Sequence, residues 1–521
     1  MKQFIEKHTN SITGTLSGLD RVRFRGTMRW LANVGGMMGF LNTVHVLLKD
    51  FKGYAIGITD GIRRATAGIV DGAGCRKEYL YSSATRKEER AREIAKEDGI
   101  TSGLICVLDC VEPCWSYHLD KNAKEKRLEL RLGYAKCLHH YFYFLDPEFG
   151  LMHARLQTWF PFTMHVCING RLWLARQLDR QGIGYTRREN CFTAFDDVAN
   201  AQKAMDAQLK TNWPQLLNHI ERTVNPARPQ LLPLPQLEYY WSVESSEWAT
   251  DIMFRSPAEL TTLYPSLIRH GIETFSSRDV MRFLGRKTPA STQVHGRFGG
   301  EVVSDVGRRV EGLRIKHRVN KNSIKMYDKQ GSVLRVETTI NNADEFKVYR
   351  TAEGDPDGEL AWRRLRRGVA DMHRRAKISQ AANERYLAAL EPVDQTTPLG
   401  ELAQQVTRSV TWKGRSVRGL RPLSTEDARL LKTVCRGEFT INGFRNRDLR
   451  AILFSDEVSK QEQKRQSGKV TRQLRMLRAH GLIKKQGSSH RYVLTDRGRT
   501  IITALTQANQ ADIQQLKKLA A

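Results

Sequence analysis

The sequence predicts an α+β protein of several domains. A mixed or antiparallel sheet forms the core, helices are inserted into it, and a largely helical module with a hairpin follows at the C-terminus. Two observations favour this class. A chain of 521 residues is longer than a single hydrophobic core usually serves. Strand-like runs rich in aromatic and β-branched residues fill 101–200 and return in 300–350, whereas helical periodicity prevails between and after them.

Composition and periodicity divide the chain into six predicted regions. They are a mixed α/β region at 1–100, a β-rich core with a helix at 101–225, a helical region at 226–300, a β-hairpin and an Arg-rich helix at 301–395, a basic linker at 396–420 and a domain of helices and a hairpin at 421–521. The Pro-rich connector Asn225–Gln236 indicates the boundary after the second region, because proline interrupts both helices and strands.

Charge is the strongest global signal. Lys and Arg number 84 against 56 Asp and Glu, which gives a net charge of +28. A chain this basic is expected to bind polyanions, so we expect a nucleic-acid partner: duplex DNA, or structured or single-stranded RNA or DNA. No apolar run approaches the roughly 20 residues of a membrane span, and the N-terminal sequence lacks a signal-peptide pattern. We therefore expect cytoplasmic residence without membrane contact.

The cysteines and the familiar catalytic motifs argue against several classes of site. Cys110, Cys114, Cys137 and His139 could be assembled into a zinc site, but their spacing is not that of zinc fingers or ribbons. Buried structural thiols are the favoured interpretation, and zinc is not expected. The sequence contains no P-loop, dinucleotide-binding, HExxH or GxSxG pattern, which disfavours an ATP-driven motor and the corresponding enzymes.

The last hundred residues combine helix signals with one short hairpin. Ser424 is a predicted helix N-cap, a second helix is predicted at Asn446–Phe454, and a third at Ser467–His480. Gly481 ends the third helix. Two strands, LIKKQ and RYVLT, are joined by the turn Gly487–Ser489, and a long helix closes the chain.

This order of three helices, a two-stranded hairpin and a closing helix resembles the winged helix of MarR-type transcription factors. The resemblance implies a third helix that enters a DNA major groove and a basic wing that contacts phosphates. The cations that it places towards the groove are Lys469, Arg472, Arg475 and Arg478, and those that it places on the wing are Lys484, Lys485, His490 and Arg491.

The segment Ser323–Asn341 predicts a strand, a Gln-Gly turn and a second strand. Because side chains alternate between the two faces of a strand, one face of this hairpin presents Tyr327, Lys329, Arg335 and Glu337. The Tyr-Asp-Lys strand followed by Arg-Val-Glu resembles replication initiators of rolling-circle plasmids and filamentous phages. In those proteins a tyrosine attacks a DNA phosphodiester.

That resemblance implies a role for each residue on the face. Tyr327 is the nucleophile or positions the phosphate, and Glu337 is a ligand of Mg²⁺ or Mn²⁺. Lys329 and Arg335 neutralise phosphate charge. The His-apolar-His pair that completes the metal site in those initiators is missing here, which leaves open a hairpin that only faces nucleic acid.

Three further sets are candidates for function. Asp20, Asp109, Glu112 and Asp371 come from separate predicted strands and a helix, as do the carboxylates of transposases with a ribonuclease-H-like core. His153, Arg155 and Trp159 share a predicted strand face that suits stacking of unpaired bases. The Arg-rich helix supplies the phosphate-binding candidates Arg363, Arg364, Arg366 and Arg367.

Together these features predict a nucleic-acid-binding protein of a mobile element or replicon that recognises specific DNA, structured RNA or both. One form of this hypothesis is a metal-dependent endonuclease or strand transferase that cuts or joins strands. The other is a non-enzymatic regulator or a partner of a structured RNA. The segments FRNRDLR and YDKQGSVLR also resemble segments of bacterial proteins of about this length, a resemblance that implies no activity.

Overall fold

In the computed structural model the described residues are 1–286, 300–309, 312–355, 357–391, 399–436, 439, 443–454, 459–486 and 490–510. They fall into two compact units. The sheet unit comprises the described residues of Met1–Ile272, Phe283–Arg286 and Val303–Glu391. The C-terminal unit comprises those of Glu273–Arg282, Lys287–Val302 and Pro392–Ala521.

The strands are numbered here in chain order. They are β1 Ile12–Met28, β2 Arg76–Leu80, β3 Gly103–Asn122, β4 Arg127–Asp146, β5 Gly150–Gln157, β6 Met164–Asn169, β7 Tyr185–Arg188, β8 Cys191–Phe195, β9 Tyr239–Phe254, β10 Val302–Arg309, β11 Gly312–Val319, β12 Asn322–Lys329, β13 Val333–Ile340, β14 Lys347–Arg350, β15 Ala361–Arg364, β16 Val410–Trp412, β17 Arg415–Val417, β18 Ile483–Lys485 and β19 Tyr492–Leu494.

One 11-stranded sheet organises the sheet unit, in the order β10-β11-β12-β13-β9-β1-β6-β5-β4-β3-β2. Strands β2 and β3 run parallel, and the other pairs whose register is described run antiparallel. The predicted α+β class with a mixed sheet is therefore confirmed. The predicted regions 1–100, 101–225 and 301–395 are not separate domains, because strands from all three join this sheet.

The α-helices are also numbered in chain order. They are α1 Lys2–Lys7, α2 Val34–Thr43, α3 Phe51–Ala73, α4 Lys87–Glu97, α5 Gly170–Gln181, α6 Val198–Ala207, α7 Trp213–Val224, α8 Arg228–Leu231, α9 Pro257–Glu273, α10 Ser277–Phe283, α11 Met372–Leu390, α12 Leu399–Thr407, α13 Thr425–Val434, α14 Asn446–Leu453, α15 Lys460–Ala479 and α16 Asp496–Gln510.

The two faces of the central strands differ in chemistry. On one face, residues such as Phe24, Phe142 and Val166 join a core that includes Phe40 of α2 and Phe51 of α3. The register of β1, β6, β5 and β4 places the alternate residues on the opposite face, which is polar. Its side chains include Arg21, Arg23, His153, Arg155 and His165. Burial of the apolar face fixes the register, because a shift by one residue would invert both faces.

The C-terminal unit has its own core and the predicted order of elements. Val470, Leu474 and Leu477 of α15 are buried, and Ser424 caps α13 by accepting a hydrogen bond from the backbone of Asp427. Gly481 follows α15 at a φ of 70°, a backbone conformation that glycine adopts without steric cost. The β18–β19 hairpin follows, and the predicted turn at 487–489 lies outside the described residues.

Three predicted elements differ in the structure. The predicted basic linker at 396–420 contains α12 and the β16–β17 hairpin, and its residues Val406, Val417 and Leu420 pack into the core of the C-terminal unit. Helix α15 begins at Lys460, two turns before the predicted start, because Ser459 caps it. The predicted Arg-rich helix is strand β15 in its first part, and α11 begins only at Met372.

Candidate functional site

The predicted Tyr327–Glu337 face forms, and the turn of its hairpin explains why. Gln330 and Gly331 both have positive φ, which matches the twist of a tight hairpin and fixes the pairing of β12 with β13. In this register Tyr327 lies opposite Arg335, and Lys325 lies opposite Glu337. All four side chains therefore point to the same face.

Neighbouring elements add charged residues to this face. On β9, Asp251 lies opposite Arg335. On β1, Asp20 is the extra residue at a break in the pairing with β9, and such a bulge re-aims a side chain. We call the resulting group the charge cluster; it consists of Asp20, Arg171, Glu247, Asp251, Lys325, Tyr327, Arg335 and Glu337.

Arg335 and Asp251 form the interior of the charge cluster. Both side chains are completely buried, and the Arg335 guanidinium binds Asp251 through Nε at 2.5 Å and Nη2 at 2.8 Å. Arg335 Nη1 also donates to Asp20 Oδ1 at 3.2 Å, and Arg171 Nη2 lies 3.2 Å from Asp251 Oδ2. Arg335 and Arg171 thus neutralise Asp251 away from water, which makes this buried group structural.

Tyr327, Lys325 and Glu337 form the outer part of the charge cluster. The Tyr327 hydroxyl donates to Glu337 Oε2 at 2.6 Å, and the Lys325 ammonium donates to Glu337 Oε1 at 2.6 Å. The same ammonium lies 3.5 Å from Glu247 Oε1. A cavity of about 330 Å³ adjoins this part and is lined by Arg309, Gly312, Arg314, Lys325 and Tyr327. Its cationic lining suits an anionic ligand.

Burial and neighbouring charges set the protonation of the cluster. Burial opposes ionisation of Asp20, but the charges of Arg335 and Arg171 outweigh it and lower its pKa below the ordinary value. Burial and the charge of Glu337 raise the pKa of Glu247. The same two causes raise the pKa of Tyr327 well above its ordinary value. The hydroxyl is therefore protonated and serves as the donor in the hydrogen bond to Glu337.

Three carboxylates of the charge cluster can hold a metal ion. One oxygen from each of Asp20, Glu247 and Glu337 can be chosen so that all three lie within 4.8 Å of one another. Glu337 is the ligand predicted from the sequence, whereas Glu247 lies outside every predicted set. The donor chemistry fits a divalent cation, but the Lys325 ammonium already bridges Glu247 and Glu337. A metal ion at this point would have to displace it.

The structure separates the residues predicted to act with Tyr327. Arg335 is fully buried and its donors are engaged by Asp251, Asp20 and the Asn190 carbonyl, so it does not face a phosphate. Lys329 is also buried. Lys325 and Arg314 line the cavity instead. The alternation that predicts the Tyr327 face also places Lys325 on it, whereas Arg314 becomes a neighbour only through the pairing of β11 with β12.

The predicted acidic set does not converge. Asp20 belongs to the charge cluster, while Asp109 pairs with His140 at 2.6 Å and Asp371 pairs with Arg366 and Arg374. Glu112 lies in another group, which we call the second tyrosine site and which consists of Lys87, Glu112, His139, Tyr141 and Arg155.

Hydrogen bonds fix the state of the second tyrosine site. The Tyr141 hydroxyl donates to Glu112 at 2.6 Å, and Lys87 lies 2.8 Å from the same carboxylate. His139 lies 3.1 Å from the Cys137 carbonyl through Nδ1 and 2.9 Å from Arg155 through Nε2. Burial, together with the charge of Arg155, lowers the pKa of His139 to about 3. Neutral His139 therefore donates from Nδ1 to the Cys137 carbonyl and accepts at Nε2 from Arg155. A zinc ion bound by His139 at Nε2 would have to displace Arg155.

The predicted stacking face is divided by the fold. His153 and Arg155 lie on the polar face, where the His153 ring is 5.0 Å from that of Tyr143. Strand β5 ends at Gln157, so Trp159 does not continue the alternation. Its indole nitrogen donates to the Tyr117 carbonyl at 2.9 Å, and its ring packs against the sheet core.

The predicted arginine group lies on β15 and in the residues after it. Arg366 forms an ion pair with Asp371 at 3.0 Å, and Arg367 pairs with Asp344. Arg364 is exposed and Arg363 is half-buried. Arg366 and Arg367 are therefore paired with carboxylates, whereas Arg364 is exposed on the surface of β15.

Predicted groove and wing cations of the C-terminal unit differ in exposure. Arg472 is exposed and Arg475 is half-buried on the side of α15 away from its core. Lys469 forms an ion pair with Glu426 at 3.1 Å, and the Arg478 guanidinium lies 5.0 Å from the Trp412 ring. Of the cations predicted to lie on a wing, Lys484, Lys485 and His490 are exposed, and Arg491 is half-buried. The longer helix adds three exposed cations that the sequence prediction missed, Lys460, Lys464 and Arg465.

Comparison of the chain with protein-family models, with curated proteins and with solved structures finds no match. None of the described helices has both the length and the apolar character that crossing a membrane requires.

Proposed function

We propose that this chain is a nucleic-acid-binding protein whose C-terminal unit binds a duplex. The observation that carries the proposal is the outer side of α15, where Lys464, Arg465 and Arg472 are exposed. The opposite side of the helix is buried in the core of its unit. A rigid helix that presents cations on one side suits contact with the phosphates that flank a major groove.

The wing extends this basic surface. Lys484 and Lys485 lie on β18, directly after α15, and both are exposed. The net charge of +28 provides long-range attraction to a polyanion. The resemblance of the Tyr327 hairpin to rolling-circle initiators supports a protein of a mobile element or replicon.

Charge reversal in the full chain tests this proposal. The variant Arg472→Glu/Arg475→Glu should weaken binding to a 25-base-pair duplex at least about tenfold in a mobility-shift assay at fixed salt, because two phosphate contacts are lost. The matched control is Arg63→Glu/Arg64→Glu, the same charge change at two exposed positions of α3. An equal loss of duplex affinity in both variants would show that the effect depends only on net charge, which would overturn the proposal.

Point variants are preferable to deletion of 421–521. Val406, Val417 and Leu420 belong to the core of the C-terminal unit, so a cut at 420 would expose apolar surface. A loss of binding after such a deletion could then reflect aggregation of the remaining chain.

We propose strand cleavage at Tyr327 as a second candidate function. It is favoured by the hydrogen bond from Tyr327 to Glu337 beside a cation-lined cavity. In the reaction, Tyr327 Oη forms a bond to phosphorus and its proton passes to Glu337. The bond from phosphorus to the leaving oxygen breaks, and that oxygen takes a proton from water. The hydroxide that remains is neutralised by the proton that Glu337 releases to solvent. Arg314 and Lys325 bind the phosphate.

Asp20, Glu247 and Glu337 would hold Mg²⁺ or Mn²⁺ in this second function. Such an ion, when bound, stabilises negative charge on the phosphate. Hard oxygen donors are the ligands that both ions prefer. The competing interpretation is a purely structural cluster, in which Lys325 permanently neutralises Glu337. Incubation with single-stranded DNA and Mn²⁺, followed by denaturing electrophoresis, distinguishes strand cleavage from a structural cluster. Only strand cleavage at Tyr327 gives a covalent protein–DNA adduct.

A further inference from the structure

The β14–β15 hairpin carries an exposed face of unusual composition. Its register pairs Lys347 with Arg364 and Tyr349 with Trp362, so these four side chains share one face. Tyr349 is 56% exposed and Trp362 is 61% exposed, with ring centroids 5.7 Å apart. Both cations are exposed as well. We call this group the aromatic hairpin.

The opposite face of the hairpin is anchored in the protein. Val348 and Arg350 are buried, and the Arg350 guanidinium donates to the carbonyls of Thr351 at 2.7 Å and Arg364 at 3.0 Å. Leu365, which follows β15, is buried and donates its backbone N–H to Phe346. The exposed rings therefore project from a fixed backbone, which lowers the entropy lost when a ligand binds.

We propose that the aromatic hairpin is a binding site for single-stranded nucleic acid. Unpaired bases stack on Tyr349 and Trp362, and the backbone phosphates contact Lys347 and Arg364. Aromatic rings flanked by cations are the combination that sequence-tolerant single-strand binding requires. The proposal rests on the proposed nucleic-acid-binding function and adds to it a second surface, with a different form of the ligand.

Comparison with a second exposed aromatic pair indicates which kind of ligand the aromatic hairpin binds. Trp115 and Tyr134 are 56% and 69% exposed, and their ring centroids are 6.1 Å apart. The pairs that flank them on the same face are Pro113–Lys136 and Tyr117–Leu132, so Lys136 is the one cation among these four residues. Two cations directly beside the rings distinguish the aromatic hairpin and favour a polyanion as its partner.

Ring removal in the full chain tests the proposal. Tyr349→Ala/Trp362→Ala should weaken binding of a fluorescein-labelled 20-nucleotide oligothymidylate at least about tenfold in fluorescence anisotropy, because two stacking contacts are lost. Tyr349→Phe/Trp362→Phe keeps the rings and should bind as the unchanged protein does. The control Trp115→Ala/Tyr134→Ala should also bind normally.

The outcomes separate this proposal from the proposed duplex function. Arg472→Glu/Arg475→Glu should lose duplex binding and keep most oligothymidylate binding, whereas the aromatic-hairpin variant should do the reverse. An aromatic-hairpin variant that binds the oligonucleotide normally, or a control pair that loses binding equally, overturns the stacking site. Equal unfolding temperatures of the alanine and phenylalanine variants exclude misfolding as the cause of any difference. Weaker oligothymidylate binding in the alanine variant alone supports the site.

Discussion

The sheet unit contains two groups of the same local composition, the charge cluster around Tyr327 and the second tyrosine site around Tyr141. In each, a tyrosine hydroxyl donates to a glutamate at 2.6 Å. In each, a lysine pairs with that glutamate, at 2.6 Å for Lys325 and 2.8 Å for Lys87. The hydrogen-bonded triplet of Tyr, Glu and Lys is therefore not, by itself, evidence of catalysis.

The two groups differ in what surrounds the triplet. The charge cluster adds Asp20 and Glu247, which bring two further carboxylates near Glu337. It also adjoins the cavity lined by Arg309 and Arg314. Around Glu112, by contrast, the second tyrosine site has the neutral ring of His139 and the side chain of Arg155. Two features favour chemistry at Tyr327. The three carboxylates can hold a metal ion, and the cation-lined cavity gives an anionic ligand access to the tyrosine.

The largest expected effect separates the two tyrosines by activity. Tyr327→Phe removes only the hydroxyl and should abolish any covalent DNA adduct, because no oxygen remains to attack phosphorus. Tyr141→Phe should leave adduct formation unchanged. Denaturing electrophoresis of reactions with labelled single-stranded DNA and Mn²⁺ measures both. Adduct formation by Tyr327→Phe would remove Tyr327 as the nucleophile.

The next effect concerns stability at the two arginines. Arg335→Met leaves Asp251 buried beside only Arg171 and should cost about 3–5 kcal/mol of unfolding free energy. Arg155→Met should cost only about 1 kcal/mol, because the Arg155 side chain is 22% exposed and Glu112 keeps Lys87 and Tyr141.

Urea unfolding followed by tryptophan fluorescence measures this difference. Trp412 is the single tryptophan of the C-terminal unit, so the signal reports mainly on the sheet unit. Comparable losses in the two arginine variants would contradict the division into a buried and a partly exposed site.

A smaller effect tests whether Lys325 competes with a metal ion. Lys325→Met removes the ammonium that bridges Glu247 and Glu337 and should strengthen Mn²⁺ binding about tenfold, since the carboxylates lose their internal counter-ion. The matched change Lys87→Met should have no such effect, because Glu112 belongs to no comparable group of three carboxylates among the described residues. Titration calorimetry with Mn²⁺ alone is the measurement. Absence of Mn²⁺ binding in Lys325→Met would make the cluster structural.

The smallest expected effect is a difference in pH dependence. The pKa of His139 is lowered to about 3, so its contribution to stability is complete above its ordinary value of 6.5 and is lost as pH falls from there towards 3. The pKa of Asp20 is lowered from 3.8, so its contribution is lost only below about pH 4. The pKa of Glu247 is raised, so its effect on stability has the opposite sign. Its stabilising contribution is present at low pH and is lost as pH rises through the raised pKa.

Acidification from pH 7 to pH 5.5 should therefore weaken the second tyrosine site before it affects Asp20. In His139→Gln the accompanying fall in unfolding free energy should be smaller than in the unchanged protein by about 1 kcal/mol, since one protonation linked to unfolding is removed. An identical fall in both proteins would show that His139 is not the buried neutral histidine described here.

Periodicity and turn chemistry were sufficient for most local elements. The Gln-Gly turn correctly predicted the β12–β13 hairpin, and Ser424 and Gly481 correctly marked a helix start and a helix end. These features act over a few residues, so they can be recognised without knowing the rest of the fold. The start of α15 was missed because its first two turns, 460–466, are entirely polar and carry no apolar stripe.

The sequence by itself determined the α+β class, the strong positive charge, the face shared by Tyr327 and Glu337, and the order of helices and hairpin at the C-terminus. Only the tertiary structure decided that Asp20 and Glu247 join Glu337, that Arg335 is buried, and that Trp159 packs inward. The reason is distance along the chain. Asp20 and Arg335 are separated by 315 positions, and they meet because β1, β9 and β13 are adjacent in one sheet, an order that no local pattern contains.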